Sequence, residues 1–231
     1  EKRWVDEDND PITVDYLGFD LSVTFKLQVA VNNGGEDEWM FASDSKYVKQ
    51  AFDGNYNDTQ TLKGMVNESE KWRGSYTGLP TVVSNEDDGG YIFLKYRVIE
   101  TAVSYGSNHT QTIPWDEETN GYGEITDPGL VGNAVFNQEK NTSNSTNTLN
   151  TMEVSVKKVW NDGGNQYNTR PGANAPMTWT SWFVLQRSSD SGNTWDNVAV
   201  IDLYGGNTEA SQIRGQRWEH TFTGLPVADY S

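Results

Sequence analysis

The chain contains no cysteine, two histidines, and 17 lysines and arginines against 33 aspartates and glutamates in 231 residues. Without cysteine there is no disulfide framework, no thiolate metal site and no cysteine nucleophile. His109 and His220 sit in no Gly-x-Ser-x-Gly or metal-ligand pattern, and scattered carboxylates in an acidic chain carry no specificity, so no turnover enzyme and no cofactor are expected. A net charge of −16 argues against nucleic acid or an anionic membrane as partner, because phosphate binding rests on clustered Lys and Arg. No signal peptide, membrane span or lipidation motif is found. The chain begins and ends inside its pattern and is expected to be a fragment. Asp6-Glu-Asp-Asn-Asp-Pro11 alternates carboxylates but lacks the glycine and the distal glutamate of an EF-hand, so a solvated turn is expected there and metal binding is not.

What is present points to strands. Glycine occurs 22 times, aromatics reach 12%, and runs of Val, Thr, Tyr, Phe and Trp are separated by Asn/Asp/Gly clusters. Leu17, Phe19, Leu21, Val23, Phe25, Leu27, Val29 and Val31 alternate with polar residues, the period of a strand with one wet face. The length of that run suggests two strands or one bent one. Ser43–Glu70 gives few signals beyond a short helix near Lys46–Phe52. In Tyr91–Glu100 the residues Ile92, Leu94, Tyr96 and Val98 form one face, and Glu100 continues it, so Glu100 is expected to end the strand pointing inward. From Thr101 to Lys140 loops and short strands are expected.

The second half repeats the first. Lys158 and Trp160 echo Lys2 and Trp4, Phe183-Val-Leu-Gln186 echoes Phe25-Lys-Leu-Gln28, Trp195 echoes Trp39, and Trp218–Pro226 echoes Trp72–Pro80. Lys2 to Lys158 is 156 positions and Pro80 to Pro226 is 146, a loop indel between like domains. The expected division is residues 1–150, carrying long insertions, and 151–231, stopping before its last strands. Residues Thr148–Glu153 form the joint.

Three polar residues fall in phase with apolar rows: Lys2 beside Trp4, Glu100 after Val98, and Asn147 before Leu149. Burying a lysine and a glutamate without compensation costs several kcal/mol. Two readings follow. In one, Lys2 snorkels to solvent, Glu100 ends its strand in water, and Asn147 belongs to a polar linker. In the other, desolvation yields a neutral amine beside a protonated acid. The Lys2 amine then attacks the Asn147 side-chain carbonyl while Glu100 shuttles protons, and ammonia leaves behind an amide.

The ordered set Lys-x-Trp, Phe-x-Leu-Gln, Trp, Tyr-Thr-Gly-Leu-Pro, Tyr-Arg-Val-Ile-Glu with Val-Ser-Tyr105-Gly, and Thr-Asn147-Thr resembles the collagen-adhesin B-type (Cna B-type) repeat of Gram-positive surface proteins and pilins. The resemblance spans nearly the whole chain. It implies an all-β fold of tandem immunoglobulin-like (inverse Ig) β-sandwiches, the second incomplete. It implies a Lys2–Asn147 isopeptide bond with Glu100 as catalytic proton shuttle, and for the second copy only the cross-link lysine, Lys158. The implied role is a structural stalk in an extracellular, cell-wall-attached surface protein or pilus, an autocatalytic single-turnover device whose partners are neighbouring repeats of the same chain. No Tyr-Pro-Lys pilin motif or Leu-Pro-x-Thr-Gly sorting signal is found.

The rival reading is a ligand-binding adhesin that recognises host extracellular matrix protein or glycan through exposed aromatics. Trp4, Trp39, Trp72, Trp160, Trp195 and Trp218 recur in matched places and are expected in the core. Trp115, Trp179 and Trp182 are less clearly paired and are the candidate ligand aromatics.

Overall fold

The computed structural model describes residues 1–31, 37–85, 89–105, 109–119, 121–125, 130, 135–139, 142–161, 163, 179–205 and 219–227. The protein is all-β with few helical turns, its strands arranged in curled, sandwich-like sheets. It divides into two units, Glu1–Asn150 with Pro226–Ser231, and Thr151–Leu225. Among the described residues no helix is long and apolar enough to cross a membrane.

In chain order the first unit holds β1 (Lys2–Val5), β2 (Leu21–Val31), β3 (Met40–Phe41), α1 (Lys46–Ala51), β4 (Thr59–Gly64), a 3-10 turn (Ser69–Lys71) and β5 (Val82–Ser84). It continues with β6 (Tyr91–Tyr105), β7 (His109–Thr112), β8 (Trp115–Asp116), β9 (Gly121–Tyr122), β10 (Val135–Glu139) and β11 (Thr142–Thr148). The alternating run resolves into one strand, β2, because Gly18 turns the chain at φ +75° after Leu17. β2 pairs antiparallel with β3 and β4 on one side and with β6 on the other, while β5 and β7 take the far edge of β6. A second sheet runs β1-β11-β10, with β1 and β11 parallel.

β6 runs on through Tyr105, so Glu100 lies inside the strand and does not end it. The register explains how. Phe25 lies opposite Glu100 while Thr24 lies opposite Ala102, so Thr101 is an extra residue, a β-bulge. Before it the inward row of β6 is even-numbered, and after it Val103 and Tyr105 point in. The bulge thus keeps β6 matched to the odd-numbered row Leu21, Val23, Phe25, Leu27 and Val29. Those rows close on Trp4, Trp72, Tyr122 and Leu149 in one core, and on Ala42, Val48 and Leu94 in another. The joint is shorter than expected: β11 ends at Thr148 and the next strand starts at Thr151. β4 and β11 are strands made mostly of polar residues that the apolar periodicity does not mark.

Among the described residues the second unit holds β12 (Thr151–Lys157), β13 (Trp179–Arg187), β14 (Asp196–Gly205) and all but the last residue of β15 (Glu219–Pro226). β12 pairs with β15, and β13 pairs antiparallel with β14. Trp195 is exposed and does not join a core as expected: its indole donates to the Gly192 carbonyl at 3.0 Å and lies over its own turn. Trp218 lies outside the described residues.

Candidate functional site

β1 sets Lys2 and Trp4 on one face, and β11 runs parallel beside it with Lys2 in register with Ser145 and Trp4 with Asn147. Side chains two apart share a face of a strand, so Ser145 and Asn147 point the same way from β11. Glu100 meets them from the other sheet. Between its partners β5 and β7, β6 has an open edge, and its amides there cannot go unpaired in a dry interior. Hydroxyls serve instead: the Val98 N–H donates to Ser143 Oγ at 3.1 Å and the Glu100 N–H to Tyr122 Oη at 2.7 Å. The edge of one sheet is thereby fastened to the other at the site itself.

All four polar side chains are sealed: Lys2 is 3% exposed, Glu100 0%, Ser145 2% and Asn147 1%. Glu100 Oε1 accepts from Asn147 Nδ2 at 2.6 Å, and Oε2 accepts from Ser145 Oγ at 2.5 Å. Lys2 Nζ stands 3.8 Å from Oε2, donates to the Arg3 carbonyl at 2.8 Å and lies 4.0 Å over the Trp4 ring. Asn147 Oδ1 is buried with no hydrogen-bond partner among the described residues. Burial pushes the Lys2 ammonium down from 10.5 to about 8, against the opposing pull of the Glu100 charge. Burial also raises the Tyr122 phenol, with the Glu100 charge adding to it, and a side-chain hydrogen bond links Tyr122 to Ser145. The two oxygens of Glu100 thus face the two nitrogens, Lys2 Nζ and Asn147 Nδ2, an arrangement able to move a proton from one to the other.

Lys2, Glu100 and Asn147, chosen from phase, come together. Lys158 does not meet such a group: it is half-buried over Trp160 at 5.0 Å, and among the described residues no carboxylate forms an ion pair with it. The candidate ligand aromatics separate. Trp115 is half-buried against the core, 5.1 Å from the Tyr122 ring and 4.6 Å from the Arg97 guanidinium, so it is no exposed anchor. Trp182 is 70% exposed. Trp179 opens β13, and its side chain lies outside the described residues.

Ser145 and Tyr122 were not legible as site residues. Period two from Asn147 points to Ser145, but Tyr122 arrives on the β8–β9 hairpin with no sequence signal. Arg97 is a second omission. Its face of β6 reads as wet, yet it is buried between Trp39 and Trp115, donating to Gln28 Oε1 and Glu117 Oε2 at 2.6 Å each. That clamp fixes the hairpin carrying Tyr122. Among the described residues no cluster of three or more His, Asp or Glu is placed to hold a metal ion.

No protein-family model, curated protein or solved structure matches the chain.

Proposed function

We propose that the protein is a structural stalk module of a bacterial cell-surface protein or pilus, whose first unit closes itself with an isopeptide bond between Lys2 and Asn147. The observation that carries this reading is the sealed contact of Lys2, Glu100 and Asn147. A lysine, a carboxylate and a carboxamide in one dry core cost stability, and the cost has a purpose if they react.

The chemistry balances without a cofactor. A proton passes from the Lys2 ammonium to Glu100, and the neutral Nζ attacks Cγ of Asn147. Glu100 gives its proton to Nδ2 and takes another from the attacking nitrogen. The Cγ–Nδ2 bond breaks, ammonia leaves, and Glu100 keeps one proton. The bond closes a loop from residue 2 to residue 147, which by the chain-entropy estimate for cross-links contributes about 5 kcal/mol.

Tandem inverse immunoglobulin-like sandwiches of the Cna B-type, attached to a Gram-positive cell wall, are the setting in which such a bond makes sense. Parallel pairing of the first and last strands of the unit supports that setting. A pull along the chain enters at Lys2 and leaves at Asn147, so the cross-link carries the load and the strands between are not unzipped. Intact mass decides the matter: the parent chain is lighter than its sequence by one ammonia, and Glu100→Ala has its full mass. Full mass for both would sink the cross-link.

A second reading, an adhesin that binds host matrix protein or glycan, is favoured by the exposed Trp182. Quenching of Trp182 fluorescence by a soluble quencher, lost on adding ligand, is its test.

A further inference from the structure

The segment Trp72–Pro80 and its echo Trp218–Pro226 share a backbone detail: Gly78 and Gly224 of the two Gly-Leu-Pro sequences have φ +70° and +69°. Their surroundings differ. Glu219–Pro226 is a strand because β12, the residues leading into Lys158, pairs with it, joined also by the Ser155–Thr221 hydroxyl contact and the Lys157–Glu219 ion pair. Residues 73–77 form no strand, although Lys2 N–H donates to the Trp72 carbonyl at 2.8 Å where such a pairing would start.

Beside this segment lies a cavity of about 530 Å³. Phe25, Leu27 and Val98 contribute to it from the central sheet, Gly74 and Tyr76 from one flank, and Thr142 and Ser143 from the other. It is in line with β1. The parallel ladder runs from Ser145 N–H to the Glu1 carbonyl and from the Glu1 ammonium to the Ser143 carbonyl, so the next amide along it is that of Ser143. On the opposite flank, antiparallel pairing continued from Trp72 reaches Gly74 and then Tyr76. The Ser75 carbonyl faces the other way and accepts from Gln60 Nε2 at 2.6 Å. No backbone–backbone hydrogen bond engages Gly74 or Tyr76 among the described residues.

We propose that this cleft is an acceptor for one further β-strand: an extended peptide with apolar side chains at every second position, parallel to β11 and antiparallel to residues 73–77. Strand addition supplies main-chain bonds along both flanks and sets alternate side chains on an apolar floor. Thr151–Lys157 has the required chemistry. Met152, Val154 and Val156 alternate with Glu153 and Ser155, and the repeat offset aligns Lys157 with Glu1, so a strand of this same sequence placed ahead of Glu1 would run in line with β1 into the cleft. The proposal does not involve the Lys2 amine, and it stands or falls apart from the cross-link.

The test is backbone amide exchange at Gly74, Tyr76 and Ser143 in the full chain, with the sequence Thr-Met-Glu-Val-Ser-Val supplied as a free peptide and joined directly ahead of Glu1. The joined strand slows those amides by roughly tenfold or more, and the free peptide slows them in proportion to its concentration. A version with serine in place of its Met and both Val residues does neither. Unchanged exchange in the joined chain overturns the proposal, as does equal slowing by the serine version.

Discussion

Lys2 and Lys158 occupy the same place in the same short motif, each with its ammonium over the tryptophan two residues on. Lys2 is sealed against Glu100 and Asn147, while Lys158 is half-buried just after β12, which among the described residues pairs with β15 alone. The motif therefore supplies only the cation–π contact. Burial and the facing carboxylate and carboxamide come from β6 and β11, strands 98 and 145 residues further on than Lys2 by their site residues Glu100 and Asn147. The largest test of this contrast removes each lysine in turn. Lys2→Ala is expected to have its full sequence mass and to lose about 5 kcal/mol of stability, whereas Lys158→Ala keeps the ammonia deficit of the parent and shifts stability by under about 1 kcal/mol. Mass spectrometry with denaturant unfolding reads both, and a deficit surviving in Lys2→Ala would assign the bond to another amine.

The tryptophans repeat the lesson. Trp72 is 1% exposed, packed edge-on against Trp4 at 5.4 Å with its Nε1–H donating to the Met65 carbonyl. Trp195 covers only its own turn. Trp72→Ala should cost about 3–5 kcal/mol by opening a cavity, and Trp195→Ala about 1 kcal/mol or less. Equal losses in thermal unfolding would mean that the second unit buries Trp195 in solution.

Much of the first unit was legible because its apolar period is unbroken: β2, the inward direction of Glu100 and the row of Lys2 and Trp4 all follow from counting by two. The bulge at Thr101 was not, since it is defined by register with β2 and leaves no mark in Val-Ile-Glu-Thr-Ala-Val. Arg97 was misread for a related reason. Period two assigns a face, but only the tertiary fold says that Trp39 and Trp115 cover it. Trp195 failed because an echo in sequence predicts the same environment only where the covering groups recur, and among the described residues Trp195 meets its own turn in place of an arginine such as Arg97.

The depressed Lys2 ammonium adds a pH signature. In Asn147→Ala, where no bond can form, the folded chain holds this lysine at about 8 and the unfolded chain near 10.5. Between those values the unfolded state binds more protons, so stability rises with pH from about 8 towards 10, on the order of 2 kcal/mol. Past 10 the trend reverses. Tyr76, Tyr96 and Tyr122 are raised by burial, Tyr96 to about 12, so the unfolded state ionises first. Lys2→Met in the same background should flatten the rise below pH 10 and leave the fall above it. A rise that persists would belong to some other group.

The smallest effect concerns a hydroxyl. Tyr122 Oη accepts the Glu100 N–H on the open edge of β6, and Phe in its place keeps the ring against Trp115 while leaving that amide unpaired. The expected cost of Tyr122→Phe is about 1 kcal/mol. If the phenol also steadies the Glu100 carboxyl through Ser145, the chain forms its bond more slowly as well, read as a longer-lived full-mass species after synthesis. Ser145→Ala then slows the same step without touching the Glu100 amide. Slowing by both variants places Tyr122 and Ser145 together behind Glu100, whereas a stability loss in Tyr122→Phe with an unchanged rate confines the tyrosine to holding the strand edge.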